Sequence, residues 1–303
     1  KMKLSMPIMK MYGGVNSMIK ECPVCEGTEL KEKYLLKDYT IKKCKKCLLK
    51  FNANFPSSDT VANTFNDDYY DVVQREAFKS DYLDHTNEPS SYMYNRILKE
   101  LVSTWGVVDK MIFEVGYGKG MFLKTAIDCG WTPHGIDISK AAYTHVFNNI
   151  TKDVFVGDLK ELNIEHKYDV VTFWDSIEHI ASPKQYLEKA NSILHSGGKV
   201  VITTDNYRSF ISTIAAGLYY ITFGLLKYPI KRTFIKYNSI YFTKDSISDL
   251  IEKCGFKIVH MEGIDYPIDK INLNMFEKST LKALYYLGRL FRSNSQLLII
   301  AQK

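Results

Sequence analysis

The sequence predicts an α/β protein: a doubly wound, mostly parallel sheet, with a small cysteine-bearing unit ahead of it. Three observations predict this. Residues 112–120, Ile-Phe-Glu-Val-Gly-Tyr-Gly-Lys-Gly, carry an apolar strand into a turn with glycine at 116, 118 and 120, and a helical stretch, Met121 to Cys129, follows. Downstream, short apolar strands alternate with helical segments, and several of them end in an acid. Upstream, four of the six cysteines form two Cys-x2-Cys hooks.

Taken in order, residues 1–17 are Met-rich and irregular and read as a leader or remnant before Met18, with no secretory pattern evident. Residues 18–55 hold the hooks, Cys22/Cys25 and Cys44/Cys47. Two hooks at this separation offer four sulfurs to one tetrahedral ion and read as a zinc ribbon. Pro23 and Lys42, Lys43, Lys45 and Lys46 suit a tight knuckle around a negatively charged metal–thiolate centre. A disulfide pair and redox-active thiols are the competing readings, and both need a context that a chain without an export signal does not suggest. Cys129 and Cys254 read as small buried apolar residues, each before a glycine at a helix end. Residues 56–105 read as a helical connector or lid: polar Pro56 to Asp59, then Tyr69, Tyr70 and Val73 on one face, then Tyr92, Met93, Ile97, Leu98 and Leu101 at helical spacing.

Residues 106–303 hold the main domain. The glycine spacing is Gly-x-Gly-x-Gly, because Met121 stands where a Gly-x-Gly-x-x-Gly pattern would place its third glycine. By itself this fits a plain strand-to-helix turn, but further stations follow in order. His134 to Ser139 is strand-like and holds Asp137 where a doubly wound fold sets the carboxylate that accepts ribose hydroxyls. Val154 to Leu159 holds Asp158, suited to an adenine amino group. Tyr168 to Ile180 is a buried strand opening onto polar residues, and Leu194 to Thr204 is turn and strand. Thr243 as N-cap and Gly255 as terminator bound a helix, and strands near Lys257–Met261 and Leu297–Ala301 close the chain.

This order resembles the class I S-adenosylmethionine-dependent methyltransferases over roughly residues 90–303. The resemblance implies a Rossmann-like, seven-stranded sheet ending in an antiparallel hairpin. It implies that the amides of Gly116, Gly118 and Gly120 meet the methionine end of the cofactor, that Glu114 orients its amino group, and that Asp137 takes the ribose. Asp158 and Leu159 would meet the adenine, and Phe173 and Trp174 would line the pocket near the sulfonium or simply fill the core. His179, beside Glu178 at a strand mouth, is the candidate general base, with a cap or packing role as its alternative. Asp175, Glu178 and His179 also resemble the acidic-acidic-His pattern of quinone-precursor O-methyltransferases, where a divalent metal is implied, with solvent-facing side chains as the favoured alternative. The ribbon with Asp38-Tyr39, the Tyr69-Tyr70 pair and the late Tyr241-Phe242-Thr243 resemble methyltransferases of sugar and cell-surface biosynthesis. Many of those carry a histidine where this chain has Asn238-Ser239-Ile240.

The expected acceptor is a small molecule: a sugar, a lipid-linked intermediate or a quinone-like ring. A nucleic-acid or translation-factor methyltransferase reading through the ribbon is the second class, and a non-catalytic binding module the third. The net charge of +6 is spread along the chain without the dense basic-aromatic surface that nucleic acid calls for. Within the insertion 207–240, Ser209 to Leu226 carries no charge and basic residues follow. It is short and hydroxyl-bearing for a membrane span. A lid packed on the sheet is expected, with peripheral membrane contact through 207–236 as the alternative. The expected location is cytoplasmic or membrane-peripheral.

Overall fold

Strands buried on both faces carry apolar residues at consecutive positions rather than alternate ones. The computed structural model, which describes residues 18–55, 90–268 and 273–303, shows this in the inner strands of its main sheet. The leader reading of 1–17 and the helical reading around Tyr69, Tyr70 and Val73 lie outside the described residues. The sheet comprises β4 (Met111–Val115), β5 (Thr132–Asp137), β6 (Val154–Val156), β7 (Tyr168–Trp174), β8 (Leu194–Asp205), β10 (Lys257–Ile264) and β11 (Gln296–Gln302). Its order is β10-β11-β8-β7-β4-β5-β6. The five strands from β8 to β6 are parallel, whereas β11 runs antiparallel to both β8 and β10. The chain winds outward from β4 through β5 to β6, then returns to β4's other side as β7. That reversal opens a crevice beyond the carboxyl ends of β4 and β7.

The consecutive pairs Ile112/Phe113, Val170/Val171 and Ile299/Ile300 are fully buried. One member of each pair faces α1 (Ser90–Ser103) and α2 (Met121–Asp128), through Ile97, Leu98, Leu101, Phe122 and Ala126. The other faces α4 (Pro183–Ile193) and α7 (Lys244–Lys253), through Leu187, Ala190, Ile247 and Leu250. Each such side chain contributes about 1.5–3 kcal/mol by leaving water. Helix α3 (Lys140–Asn149) covers the β6 edge through Ala142 and Val146. Helix α7 starts at Thr243, whose capping box closes with Ser246, and Gly255 follows it at φ 83°.

Three features depart from the sequence reading. The ribbon strands β1 (Leu30–Leu35), β2 (Thr40–Cys44) and β3 (Lys50–Asn52) gain a fourth, β9 (Ile240–Tyr241), which pairs antiparallel with β3. The insertion 207–240, expected over the main sheet, folds as α5 (Phe210–Ile221) and α6 (Tyr228–Thr233) against the ribbon. Tyr34 and Ile41 oppose each other across β1 and β2, and the face they share with Leu36 and Tyr39 needs an apolar cover. Ala215, Ile230 and Phe234 supply it. Among the described residues no helix is long and apolar enough to cross a membrane. Finally, β10 and β11 are antiparallel neighbours as expected, but their connection contains α8 (Met275–Leu290), started by an Asn274/Glu277 capping box. Cys254 is buried, while Cys129, at the end of α2, is only half-buried and donates to Asn95 Oδ1 at 3.1 Å.

Candidate active site

The turn after β4 is built from left-handed glycines: Gly116 at φ 79°, Gly118 at 51° and Gly120 at 77°. A Cβ on Gly116 would stand 2.8 Å from Ser176 Cβ, and one on Gly120 would meet Ile150 and Val146 within 2.8 Å. Side chains are thus excluded from the turn by both conformation and space. Asp137, the last residue of β5, reaches across to it. Its Oδ2 accepts from the Gly118 amide and its Oδ1 from the Ser139 amide, each at 2.8 Å. Burial pushes this carboxyl up to about 6, against the pull of those amides. Glu114 is buried within β4, and its Oε2 finds no hydrogen-bond partner among the described residues. Burial, and then the charge of Asp137, hold the Glu114 carboxyl well above the usual carboxylate range. An unsatisfied buried acceptor beside a glycine cradle suits a cationic ligand group.

Asp158 stands two residues past β6, half-buried. Its Oδ1 accepts from the Lys160 amide at 2.9 Å and its Oδ2 faces Lys160 Nζ at 3.3 Å. Leu159 is fully buried in the core. Phe173 and Trp174 alternate along β7 and so look to opposite faces of the sheet. Phe173 lies in the cluster with α4 and α7, whereas Trp174 packs edge-on against Tyr94 of α1 and beside Phe122 of α2. Trp174 Nε1 is buried without a hydrogen-bond partner among the described residues.

Past β7 a single 3-10 turn, Ile177–His179, carries the catalytic candidates. Glu178 is buried and its Oε2 accepts from Thr204 Oγ1 at 3.0 Å. Burial raises its carboxyl well above the usual range, with Asp175 and Asp205 adding to the effect. His179 Nδ1 lies 3.0 Å from the carbonyl oxygen of Tyr237. A carbonyl only accepts, so Nδ1 bears the proton and Nε2 the basic lone pair. Desolvation lowers the imidazole's pKa, which keeps it neutral. The divalent-metal arrangement that the resemblance offers for Asp175, Glu178 and His179 is not gathered here. Glu178 turns inward to Thr204, His179 Nδ1 is directed to a carbonyl, and Asp175 is exposed. Among the described residues, only the cysteines gather as a metal-sized group.

Residues that the sequence reading passed over complete the mouth. Asp205, at the end of β8, accepts from Tyr207 Oη at 3.1 Å and Asn238 Nδ2 at 3.5 Å, and its carboxyl is pushed up to about 6 by burial and then by Asp175. Gln296 Nε2 donates to Asp175 Oδ1 at 3.1 Å. The signal was an acid at a strand end, the same one that marks Asp137 and Asp158.

The sulfurs of Cys22, Cys25, Cys44 and Cys47 all lie within 4.8 Å of one another, with Cys22–Cys47 at 3.5 Å and Cys25–Cys44 at 3.6 Å. Left-handed Glu26 and Leu48 close the two knuckles. Four thiolates on one tetrahedral zinc stand about 3.8 Å apart, so the donor set fits that ion. None of the described cysteines forms a disulfide.

Residues 88–261 match the methyltransferase-domain family. Ubiquinone biosynthesis O-methyltransferase of Shewanella sp. (strain ANA-3) is 26% identical over 180 residues, spanning 56% of this chain and 76% of the relative. That of Vibrio cholerae (strain O395) is 27% identical over 118 residues, spanning 36% of this chain and 48% of the relative. Against such relatives this chain thus spans between about half and three quarters of their length. The structure of magnesium protoporphyrin IX methyltransferase from Synechocystis PCC 6803 superposes with a TM-score of 0.50 at 13% identity, covering 78% of this chain and 97% of that one, a likeness of fold.

Proposed function

The chain belongs to the methyltransferase-domain family and is an S-adenosylmethionine-dependent methyltransferase, and on that premise we propose that it methylates a hydroxyl of a small-molecule acceptor. Bound S-adenosylmethionine supplies an electrophilic methyl group on a sulfonium. The Gly116–Gly120 turn and Glu114 would receive the amino-acid end, Asp137 the ribose, and Asp158 with the Leu159 backbone the adenine edge. Trp174 would close the wall near the sulfonium, while Phe173 supports the strand from beneath. His179 would accept the acceptor's proton at Nε2, because its Nδ1 is already committed to the Tyr237 carbonyl. Glu178, buried and bonded to Thr204 Oγ1, would position the turn rather than act as base. The names of the curated relatives favour a ring hydroxyl, and a sugar or lipid-linked hydroxyl fits the same chemistry. We assign zinc to the cysteine foursome as a structural ion.

The observation that carries the cofactor reading is the buried Asp137 carboxylate clasping the Gly118 amide, beside the unsatisfied Glu114 oxygen. Calorimetric titration with S-adenosylmethionine tests it. Charge-assisted hydrogen bonds contribute about 1.5–3 kcal/mol each, so Asp137→Ala should weaken binding roughly 100-fold. Equal affinity in the variant would remove the cofactor assignment. Tritium transfer from labelled donor to catechol, sugar and polyprenyl-alcohol acceptors would then sort the acceptor class.

A further inference from the structure

The inner face of the insertion is accounted for by the ribbon, but its tip is not. Where α5 turns into α6, the side chains of Ile221 (77% exposed), Phe223 (95%), Leu225 (88%) and Tyr228 (61%) stand in solvent. The tip is a built turn rather than a frayed end. Phe223 at φ 51° and Gly224 at φ 79° are both left-handed, a conformation that a phenylalanine adopts only at a cost. Four hydrogen bonds hold it: Phe223 N to Tyr220 O at 3.0 Å, Gly224 N to Tyr219 O at 2.8 Å, Leu225 N to Thr222 O at 3.0 Å and Leu226 N to Thr222 Oγ1 at 3.1 Å. A fixed turn that points bulky apolar groups outward is a contact surface.

Charge identifies the partner. From Asn206 to Lys244 the chain contains no aspartate or glutamate, while Arg208, Lys227, Lys231, Arg232, Lys236 and Lys244 are basic. Lys227, Lys231 and Arg232 are exposed, and none of the three forms an ion pair among the described residues. Protruding apolar groups backed by cations with long aliphatic stems match the layered chemistry of a bilayer surface, hydrocarbon beneath anionic headgroups. Tyr220 and Tyr228 flank the tip, and tyrosine favours that boundary. Helix α5, at 12 residues, is too short to span and would lie shallow.

We propose that the α5–α6 tip docks this protein on an anionic phospholipid bilayer, with Phe223 and Leu225 inserted and Lys227, Lys231 and Arg232 meeting the headgroups. The docking face does not depend on the identity of the acceptor. Co-sedimentation of the full chain with vesicles of phosphatidylcholine, with and without about a third phosphatidylglycerol, tests it. The parent should partition onto the anionic vesicles at least about tenfold more strongly than onto neutral ones, and less so as salt rises. Phe223→Ser with Leu225→Ser should cut that partition about tenfold or more, and Lys227→Glu with Lys231→Glu and Arg232→Glu should abolish the preference for anionic lipid. Unchanged affinity for S-adenosylmethionine would show that the variants fold. A parent that stays in the supernatant overturns the proposal, as does a serine pair that sediments like the parent. Self-association that the serine pair abolishes, without vesicle binding, overturns it in favour of a second copy of the chain.

Discussion

Asp137 and Glu114 are paired acids in a place that water has left, and their protonation is the property most open to measurement. Asp137 titrates near 6 in the fold against an unfolded value of 3.8, so between those values the folded state holds more protons. Its contribution to stability is therefore fully present below about 4 and is lost as pH rises through about 6. Asp205, also raised to about 6, acts in the same direction. The ligand-free protein should melt at a lower temperature at pH 7 than at pH 5, and Asp137→Asn should flatten that slope; a slope the variant leaves unchanged would refute the assignment. Glu114 leads to a second expectation. A ligand ammonium placed beside its raised carboxyl favours the ionised form, so binding S-adenosylmethionine should release a proton over the pH range in which that carboxyl titrates. Binding enthalpies in buffers of different ionisation heat would reveal it, and Glu114→Gln should abolish it. Both acids were legible in the sequence because each stands at or near a strand end beside the glycines. Their protonation was not, because burial depends on what packs over them.

At the scale of elements, the segment from Phe234 to Tyr241 ties the ribbon to the turn that carries Glu178 and His179. Asn52 Nδ2 donates to the Lys236 carbonyl at 2.8 Å, and the Asn52 amide donates to the Ser239 carbonyl at 2.9 Å. Ser239 in turn donates through its amide to the Glu178 carbonyl at 2.8 Å and through Oγ to the Ile180 carbonyl at 2.7 Å. His179 is thus fixed on both flanks as well as at Nδ1. Ser239→Ala removes the hydroxyl donor at a cost of about 1 kcal/mol per bond and should lower kcat roughly tenfold while leaving donor affinity nearly unchanged. Loosening would also admit water and raise the imidazole's lowered pKa. The acid limb of the kcat profile, which requires neutral His179, should then move to higher pH. A limb that stays in place would leave Ser239 without a positioning role. The sequence marked this segment only as a departure, Asn238-Ser239-Ile240 in place of a histidine. Strand β9 is two residues long and pairs with residues far away in the chain, so no local periodicity announced it. The strands of the main sheet were legible because burial on both faces leaves continuous apolar runs. Helix α8 had a readable start in Asn274 and Glu277, but its mixed composition offered a weaker stripe.

The molecule as a whole places its metal-sized cluster and its transfer chemistry on one continuous scaffold. The ribbon's sheet is completed by β9, the ribbon's apolar face is covered by α5 and α6, and Phe51 and Leu49 share a core cluster with Phe242 and Ile247. A ribbon that served as a detachable recognition module would bury little against its neighbour, and losing its ion would leave the transferase intact. Here the opposite is expected. Structural zinc contributes folding free energy directly, so chelation or Cys44→Ser should lower the melting temperature of the whole chain on the order of 10 °C. Calorimetry should show a single transition, since β3, β9 and the Tyr237 carbonyl on His179 would loosen together. Turnover should fall further than affinity for S-adenosylmethionine, because the glycine turn and Asp137 stand on β4 and β5, away from the ribbon's hydrogen bonds. Elemental analysis of the parent should find about one zinc per chain. Two separate transitions, with the larger one unmoved by metal removal, would show that the ribbon folds apart from the site it touches.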